Sequence, residues 1–262
     1  MRPFTAFHRG GTGEPLVCLH GFMDNWRTWE LALPALERRR DVLAPTLPGH
    51  AGGPALSGSI DDNSMADAVE AAMDAAGFVT GHIAGNSLGG FVALQLAARG
   101  RARSVVALAP AGGWASGDRA PRELLEFQRR MQASVHATAA HADAIAATRA
   151  GRRQATDLLT VRYEHIPPEL VADVIAAVAA CDAAPLIDYA LTSDWPLDPA
   201  RIGCPVRIVW GRADRLLPWP SAAIRFKDEL LPQAEWVELD DVGHAPQLDT
   251  PLEAAELIRA FA

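Results

Sequence analysis

The sequence predicts an α/β protein: a mostly parallel central sheet with an antiparallel N-terminal edge, helices on both faces, and a helical cap inserted after the sixth strand. Three observations carry this expectation. From residue 15 to 110, short apolar runs alternate with helix-like stretches, the pattern of βαβ units. The alternation then stops, and an Ala-, Arg- and His-rich region runs to about residue 197 without a convincing strand. Strand-like runs resume at "PVRIVWG" (205–211) and "EWVEL" (235–239). The expected division is therefore a core of 1–111 and 198–262, with 112–197 as the inserted cap.

Taken in order, "FTAFHRGGTGEPLVCLH" reads as an antiparallel hairpin with a Gly-rich turn, which makes the sheet mixed at one edge. The next strands are "LVCLH" (16–20), "DVLAP" (41–45), "GHIAG" (81–85) and "SVVALAP" (104–110). Ser64 is placed to cap a helix whose apolar face is Met65, Val69, Ala72, Met73 and Ala76, and Gly77 ends it. "LGGFVALQLAARG" (88–100) is apolar nearly all round and predicts a helix buried against the sheet. In the insertion, "EFQRRMQASVHATAAHADAIAATRAG" and "PELVADVIAAVAACDAA" predict helices, with Pro167 and Pro168 suited to the first turn of the second. "PSAAIRFKDELL" (220–231) and "PLEAAELIRAFA" (251–262) predict the helices that follow the last two strands.

With 262 residues, 49% of them hydrophobic and 21% charged, the chain can bury a sizeable core. A formal charge of −8 argues against a nucleic-acid partner, which requires a basic face, and the runs "ERRR" (37–40) and "GRRQ" (151–154) read as solvated helix ends. Cys18, Cys181 and Cys204 are odd in number and set among apolar neighbours, which predicts buried reduced thiols. No stretch has the form of a secretory signal or a membrane span, so the expectation is a cytoplasmic protein that meets no membrane. His136 and His141, five apart, miss the spacing of helical metal ligands, and neither a metal nor a cofactor is expected.

The chemistry concentrates at "AGNSLGGF" (84–91), where Ser87 lies between glycines after a strand and before the buried helix. A serine hydroxyl is a weak nucleophile until a base takes its proton, so it must be exposed and within reach of a histidine. Gly85 and Gly89 leave room for a tight strand-turn-helix elbow that presents it, and Asn86 suits such a turn. The Leu88 N–H, at the start of the helix, is a natural donor to a developing oxyanion, and the Phe22 N–H in "LHGF" is a candidate second donor. Later strand ends offer Asp214 in "VWGRADRLLP" and His244 in "LDDVGHAPQLD", where Gly243 gives the loop freedom. Asp240 and Asp241 compete for the acid role, and Asp214 has Arg212 and Arg215 as other partners. His20 better suits a structural role bonding local backbone.

Together "LHGFMDNWRTW", "LPGHAGGP", "GNSLGGFVAL", "WGRADRLLP" and "GHAPQLDTP" resemble the α/β-hydrolase superfamily, in the branch of single-domain enzymes with a helical cap. The resemblance implies Ser87 as nucleophile, His244 as base, Asp214 as orienting acid and the Phe22 and Leu88 N–H groups as oxyanion hole. Haloalkane dehalogenases and epoxide hydrolases place an aspartate at the elbow, where this chain has Ser87. "GNSLGG" and "WGRADRLLP" also resemble carbon–carbon hydrolases of aromatic ring-fission products. Those typically carry a tryptophan after the histidine, where this chain has Ala245, although Asn86 and Arg129 or Arg130 are candidates for holding a dienoate. "LPGHAGGP" and "HGF" resemble a menaquinone-pathway synthase. The expected activity is cofactor-independent hydrolysis of carboxylic esters of small apolar acyl or aromatic molecules, with carbon–carbon hydrolysis, the synthase reaction or a receptor-like binding role as alternatives. Large apolar residues expected to wall the pocket are Trp114, Phe127, Met131, Leu158, Tyr163, Tyr189, Trp195 and, from the other side, Trp219.

Overall fold

The computed structural model describes residues 2–56, 58–115, 117–193 and 195–262. Seven strands, β1 (Phe7–Gly10), β2 (Glu14–Leu19), β3 (Arg40–Pro45), β4 (Gly81–Asn86), β5 (Ala102–Leu108), β6 (Val206–Gly211) and β7 (Glu235–Leu239), form one sheet in the order β1-β3-β2-β4-β5-β6-β7. Every neighbouring pair is parallel except β1 with β3. Helices cover both faces, which is why β2 to β6 are built from Val, Leu, Ile and Ala rather than from alternating polar residues.

The antiparallel edge is present, but not as a hairpin. β1 pairs with β3, from Phe7 opposite Pro45 to Gly10 opposite Val42, while β2 pairs with the other side of β3. Gly11 and Gly13 take the chain across the start of β3 with φ of +79° and +126°, so close that a Cβ on Gly11 would lie 2.2 Å from the Arg40 carbonyl oxygen. Local sequence shows the turn and not the strand it crosses.

Ten α-helices accompany the sheet among the described residues: α1 (Leu33–Leu36), α2 (Ser64–Ala75), α3 (Leu88–Ala98), α4 (Ala120–Thr138), α5 (Ala142–Ala147), α6 (Arg149–Thr156), α7 (Pro168–Ala180), α8 (Ala183–Ala190), α9 (Pro246–Asp249) and α10 (Pro251–Arg259). α2 and α3 pack on one face of the sheet, α1 and α10 on the other. From Gly89 to Ala97 all of α3 except Gln95 is buried, as its lack of a polar face requires. Fully burying Leu94 and Leu96 stabilises the fold by about 1.5–3 kcal/mol each.

No strand lies between β5 and β6 among the described residues, and α4 to α8 occupy that interval. The helical insertion thus follows the fifth strand in chain order, not the sixth. The helix expected over 126–151 is broken into α4, a 3₁₀ turn, α5 and α6. Thr148 is extended and its hydroxyl accepts the Gly151 N–H, so it starts α6 as an N-cap. Ser64 is the first residue of α2 rather than its cap, bonded to the Asp61 carboxylate, and the segment expected as a helix over 220–231 shortens to a π-turn at Phe226–Leu230. Cys18 and Cys181 are buried and Cys204 half-buried, all three as free thiols. Among the described residues no single helix is long and apolar enough to cross a membrane.

Candidate active site

Ser87 stands at the C-terminal end of β4, in the turn into α3, with φ +54° and ψ −116°. Such backbone costs about 1–3 kcal/mol and persists only where its surroundings impose it. Here the Ser87 N–H donates to Leu108 O at 2.9 Å, and Ser87 O accepts from Phe91 N and Ala111 N. The flanking glycines explain the tightness: a Cβ on Gly85 would sit 2.2 Å from Gly89 O, and one on Gly89 would sit 2.4 Å from Leu19 O.

His244 follows β7 and is 2% exposed. Its Nδ1 lies 2.7 Å from Asp214 Oδ2, while Asp214 Oδ1 accepts the N–H groups of Leu216 and Leu217, each at 2.8 Å. With Nδ1 donating to the carboxylate, Nε2 is the acceptor nitrogen, and it is buried without a hydrogen-bond partner. Asp240 instead pairs with Arg212, Arg215 pairs with Asp157, and Asp241 is exposed at φ +53°. Of these three aspartates, Asp214 is the one bonded to the His244 ring.

The elbow and the histidine loop are tied directly. Asn86 Nδ2 donates to His244 O at 2.9 Å and to Leu108 O at 3.1 Å, and Gln247 Nε2 donates to Asn86 Oδ1 at 3.0 Å and to Thr28 Oγ1 at 3.1 Å. Asn86 is 3% exposed with its amide committed to backbone, so it is not free to hold a dienoate. Asp249 accepts the N–H groups of Gly243, Val161 and Arg162, and Ala245 N donates to Leu159 O, which fastens both sides of His244 to the helical segment. Gly243 serves this close packing rather than loop freedom, since its Cβ would lie 2.8 Å from Leu159 O. Gln247, Asp249 and Thr28 were not visible as site residues in the sequence: isolated polar residues in loops carry no period or motif.

Beside Ser87 the Gly21–Phe22 turn comes close enough that a Cβ on Gly21 would lie 3.4 Å from Ser87 Cβ. The N–H groups of Phe22 and Leu88 donate to no described residue. His20 holds this turn: its Nδ1 is 2.7 Å from Gly21 O, and its Nε2 accepts the Leu47 N–H at 2.9 Å. That pairing requires a neutral ring, and burial, with the neighbouring His50 ring, holds the His20 pKa well below the usual histidine value. Burial likewise lowers His50 to about 4, and it raises Asp24 to about 6 against the Asn25 N–H and Thr28 hydroxyl, which favour its ionised form.

These shifts have opposite linkage. The histidines bind protons more readily when unfolded, so their contribution is present above about pH 6.5 and is lost as pH falls, for His50 down to about 4. Asp24 binds its proton more readily when folded, so it costs stability above about pH 6 and relieves that cost as pH falls toward its unfolded value. Denaturant melts across pH 7 to 4 are expected to show a net loss of stability, shallower in His50→Gln and steeper in Asp24→Asn. Identical pH slopes in all three proteins would contradict this assignment.

Ser87 opens into a cavity of about 860 Å³, open mouth included. Of the eight expected wall residues, Trp114, Tyr189 and Trp195 line it. Trp195 meets Phe91 and Trp114 edge-on at 5.3 and 5.2 Å, making an aromatic wall. The other five are not there. Phe127 is 38% exposed, Met131 packs on the buried cluster around Leu186, and Leu158 is half-buried outside the cavity. Tyr163 is buried under Arg149, and Trp219 packs between Trp210 and Trp236. Phe91, Leu124, Leu125 and Leu186, which the sequence did not single out, line the cavity in their stead. No arginine, lysine or histidine does so among the described residues, whereas Asp61 and Asp62 do. Arg129, a candidate for anion binding, instead pairs with Asp188 outside it.

A family model described as alpha/beta hydrolase fold matches residues 14–251. The chain is 34% identical over 203 residues to "Epoxide hydrolase EphH" of Mycobacterium tuberculosis, covering 75% of this chain and 92% of that protein. It is 31% identical over 264 residues to a "Pimeloyl-[acyl-carrier protein] methyl ester esterase" of Aeromonas hydrophila, covering 98% of each. Among solved structures, a thermophilic esterase from Thermogutta terrifontis superposes with a TM-score of 0.71 at 22% identity, over 97% of this chain and 91% of that one, a likeness of fold.

Proposed function

The chain belongs to the α/β-hydrolase fold family, and from that premise we propose that it is a cofactor-independent serine hydrolase cleaving carboxylic esters of apolar acyl or aromatic small molecules. The observation that carries the reading is the Asp214–His244 pair, 2.7 Å apart and bonded through Asn86 to the elbow that bears Ser87. Ser87 Oγ attacks the ester carbonyl as His244 Nε2 takes its proton, and the oxyanion is held by the Phe22 and Leu88 N–H groups. Collapse expels the alcohol, which receives that proton from His244. Water, deprotonated by His244, then releases the acid and restores Ser87. Residues 112–197 act as a helical cap over the site, between core segments 1–111 and 198–262.

The relative named as a methyl ester esterase acts, by its name, on the bond class proposed here. The relative named as an epoxide hydrolase raises another reaction, which the residue at the elbow disfavours. Attack of a serine oxygen on an epoxide carbon gives an ether, which lacks the carbonyl that water must attack to release it. Carbon–carbon cleavage of a dienoate calls for a site for its carboxylate, and among the described residues this cavity offers carboxylates instead of cations.

The test compares kcat/KM for a p-nitrophenyl ester and a ring-fission dienoate on one preparation, with fluorophosphonate labelling to count active serine. Labelling together with a preference for the ester is expected. A dienoate preference of about tenfold, equivalent to about 1.4 kcal/mol in transition-state binding, would replace the reading with carbon–carbon hydrolysis. No labelling and no turnover would favour a binding role.

A further inference from the structure

Gln128 lies on the cavity face of α4, one turn after Leu124 and beside Leu125, and only 8% of it is exposed. Its amide has no hydrogen-bond partner among the described residues. The contrast with Gln132, one turn further along the same helix, is informative: that amide donates to Val178 O at 3.0 Å and to Cys181 O at 2.7 Å, and so joins α4 to α7 and the turn that follows it. The polar groups elsewhere around the cavity are likewise engaged. The Tyr189 hydroxyl and Ser193 Oγ bond Asp62, Ser64 and the Asn63 N–H bond Asp61, and Gln95 Nε2 donates to Asp62 O. Gln128 thus stands with Ser87 as a polar side chain that faces this cavity with hydrogen-bonding capacity unspent.

An amide in a leucine-rich stretch of the cavity wall that spends no hydrogen bond on a described residue is available to a molecule in the cavity. We propose that Gln128 is a specificity determinant that hydrogen-bonds a neutral polar group, a carbonyl, hydroxyl or amide, carried by an otherwise apolar ester. This rests on the ester-hydrolase reading above. The group is neutral because the cavity has no cation among its described residues to balance a carboxylate, and because Gln128 sits among leucines while the carboxylates of Asp61 and Asp62 are in the exposed part of the wall. A site built to hydrogen-bond its substrate discriminates strongly against the analogue that lacks the group, since the analogue leaves the amide desolvated and unpaired.

The test uses p-nitrophenyl alkanoates of one chain length, with a ketone walked along the acyl chain beyond the β carbon, against the plain hydrocarbon ester. A parallel set carries the ketone on the alcohol side. In the wild type, at least one position should raise kcat/KM by about tenfold or more, a difference of about 1.4 kcal/mol. In Gln128→Leu the ratio of kcat/KM for the ketone ester to that for the plain ester should fall to within about twofold of one. Equal handling of ketone and hydrocarbon by a wild-type enzyme that cleaves both overturns the proposal, as does a ketone preference that survives Gln128→Leu. The same ketones are also titrated into the Ser87→Ala protein, with and without Gln128→Leu, by intrinsic tryptophan fluorescence, Trp114 and Trp195 being in the cavity wall. If no ester is cleaved and no serine labelled, the ester reading has failed, and the Gln128 proposal then stands or falls on whether ketone binding exceeds hydrocarbon binding only when Gln128 is present.

Discussion

Ser87→Ala is expected to abolish fluorophosphonate labelling and to lower ester turnover on the order of 10⁴- to 10⁶-fold, with the fold intact. The loss is large because no other described hydroxyl occupies the elbow, and His244 Nε2 has no alternative nucleophile bonded to it. The remaining rate would come from binding and from the Phe22 and Leu88 N–H groups, which the substitution leaves in place. Folding survives because what holds the elbow is backbone: the Ser87 N–H on Leu108 O, and the Phe91 and Ala111 N–H groups on Ser87 O. Alanine meets the same cost at φ +54° as serine, so the strained turn adds no new penalty. An unchanged thermal melt with background turnover is the expected pair of results. Undiminished labelling in a folded Ser87→Ala protein would refute the nucleophile assignment.

How much of this was legible in the sequence depended on how local each signal was. The elbow is local: Gly85, Ser87 and Gly89 are spaced by backbone clearances that the structure reproduces at 2.2 and 2.4 Å. The five strands from β2 to β6 were equally visible, because burial on both faces demands continuous apolar runs. The partner of β1 was not, since crossing over the start of β3 or folding back on β2 asks the same glycines of the chain. The aromatic wall was only partly foreseen. Trp114 and Trp195 reach the cavity while Tyr163 and Trp219 turn away from it, and what separates them is packing between distant segments rather than residue type. Thr148, by contrast, carries a local signal: a hydroxyl residue opening a short arginine-rich turn has the pattern of an N-cap.

Asp214→Asn is expected to reduce kcat on the order of 10³- to 10⁴-fold while the protein remains folded. The reason lies in what holds the other oxygen. Asp214 Oδ1 accepts both the Leu216 and Leu217 N–H groups, so an asparagine must present its carbonyl oxygen there and its NH₂ to His244. The ring then has to accept at Nδ1, which places its proton on Nε2 and removes the nitrogen that should take the Ser87 proton. The amide also cannot stabilise the imidazolium formed during turnover. Asp241→Asn serves as the comparison. Asp241 is exposed at φ +53°, a conformation asparagine tolerates as well, so turnover should change by less than about threefold. Asp214→Ala should lose activity too, and should in addition lose about 1–3 kcal/mol of stability, because the N–H groups of half-buried Leu216 and buried Leu217 are left unpaired. Denaturant melts and turnover measured on all three variants separate these effects. Heavy loss in Asp241→Asn with little in Asp214→Asn would move the acid to Asp241 and dissolve the link drawn here between the pair at 2.7 Å and catalysis.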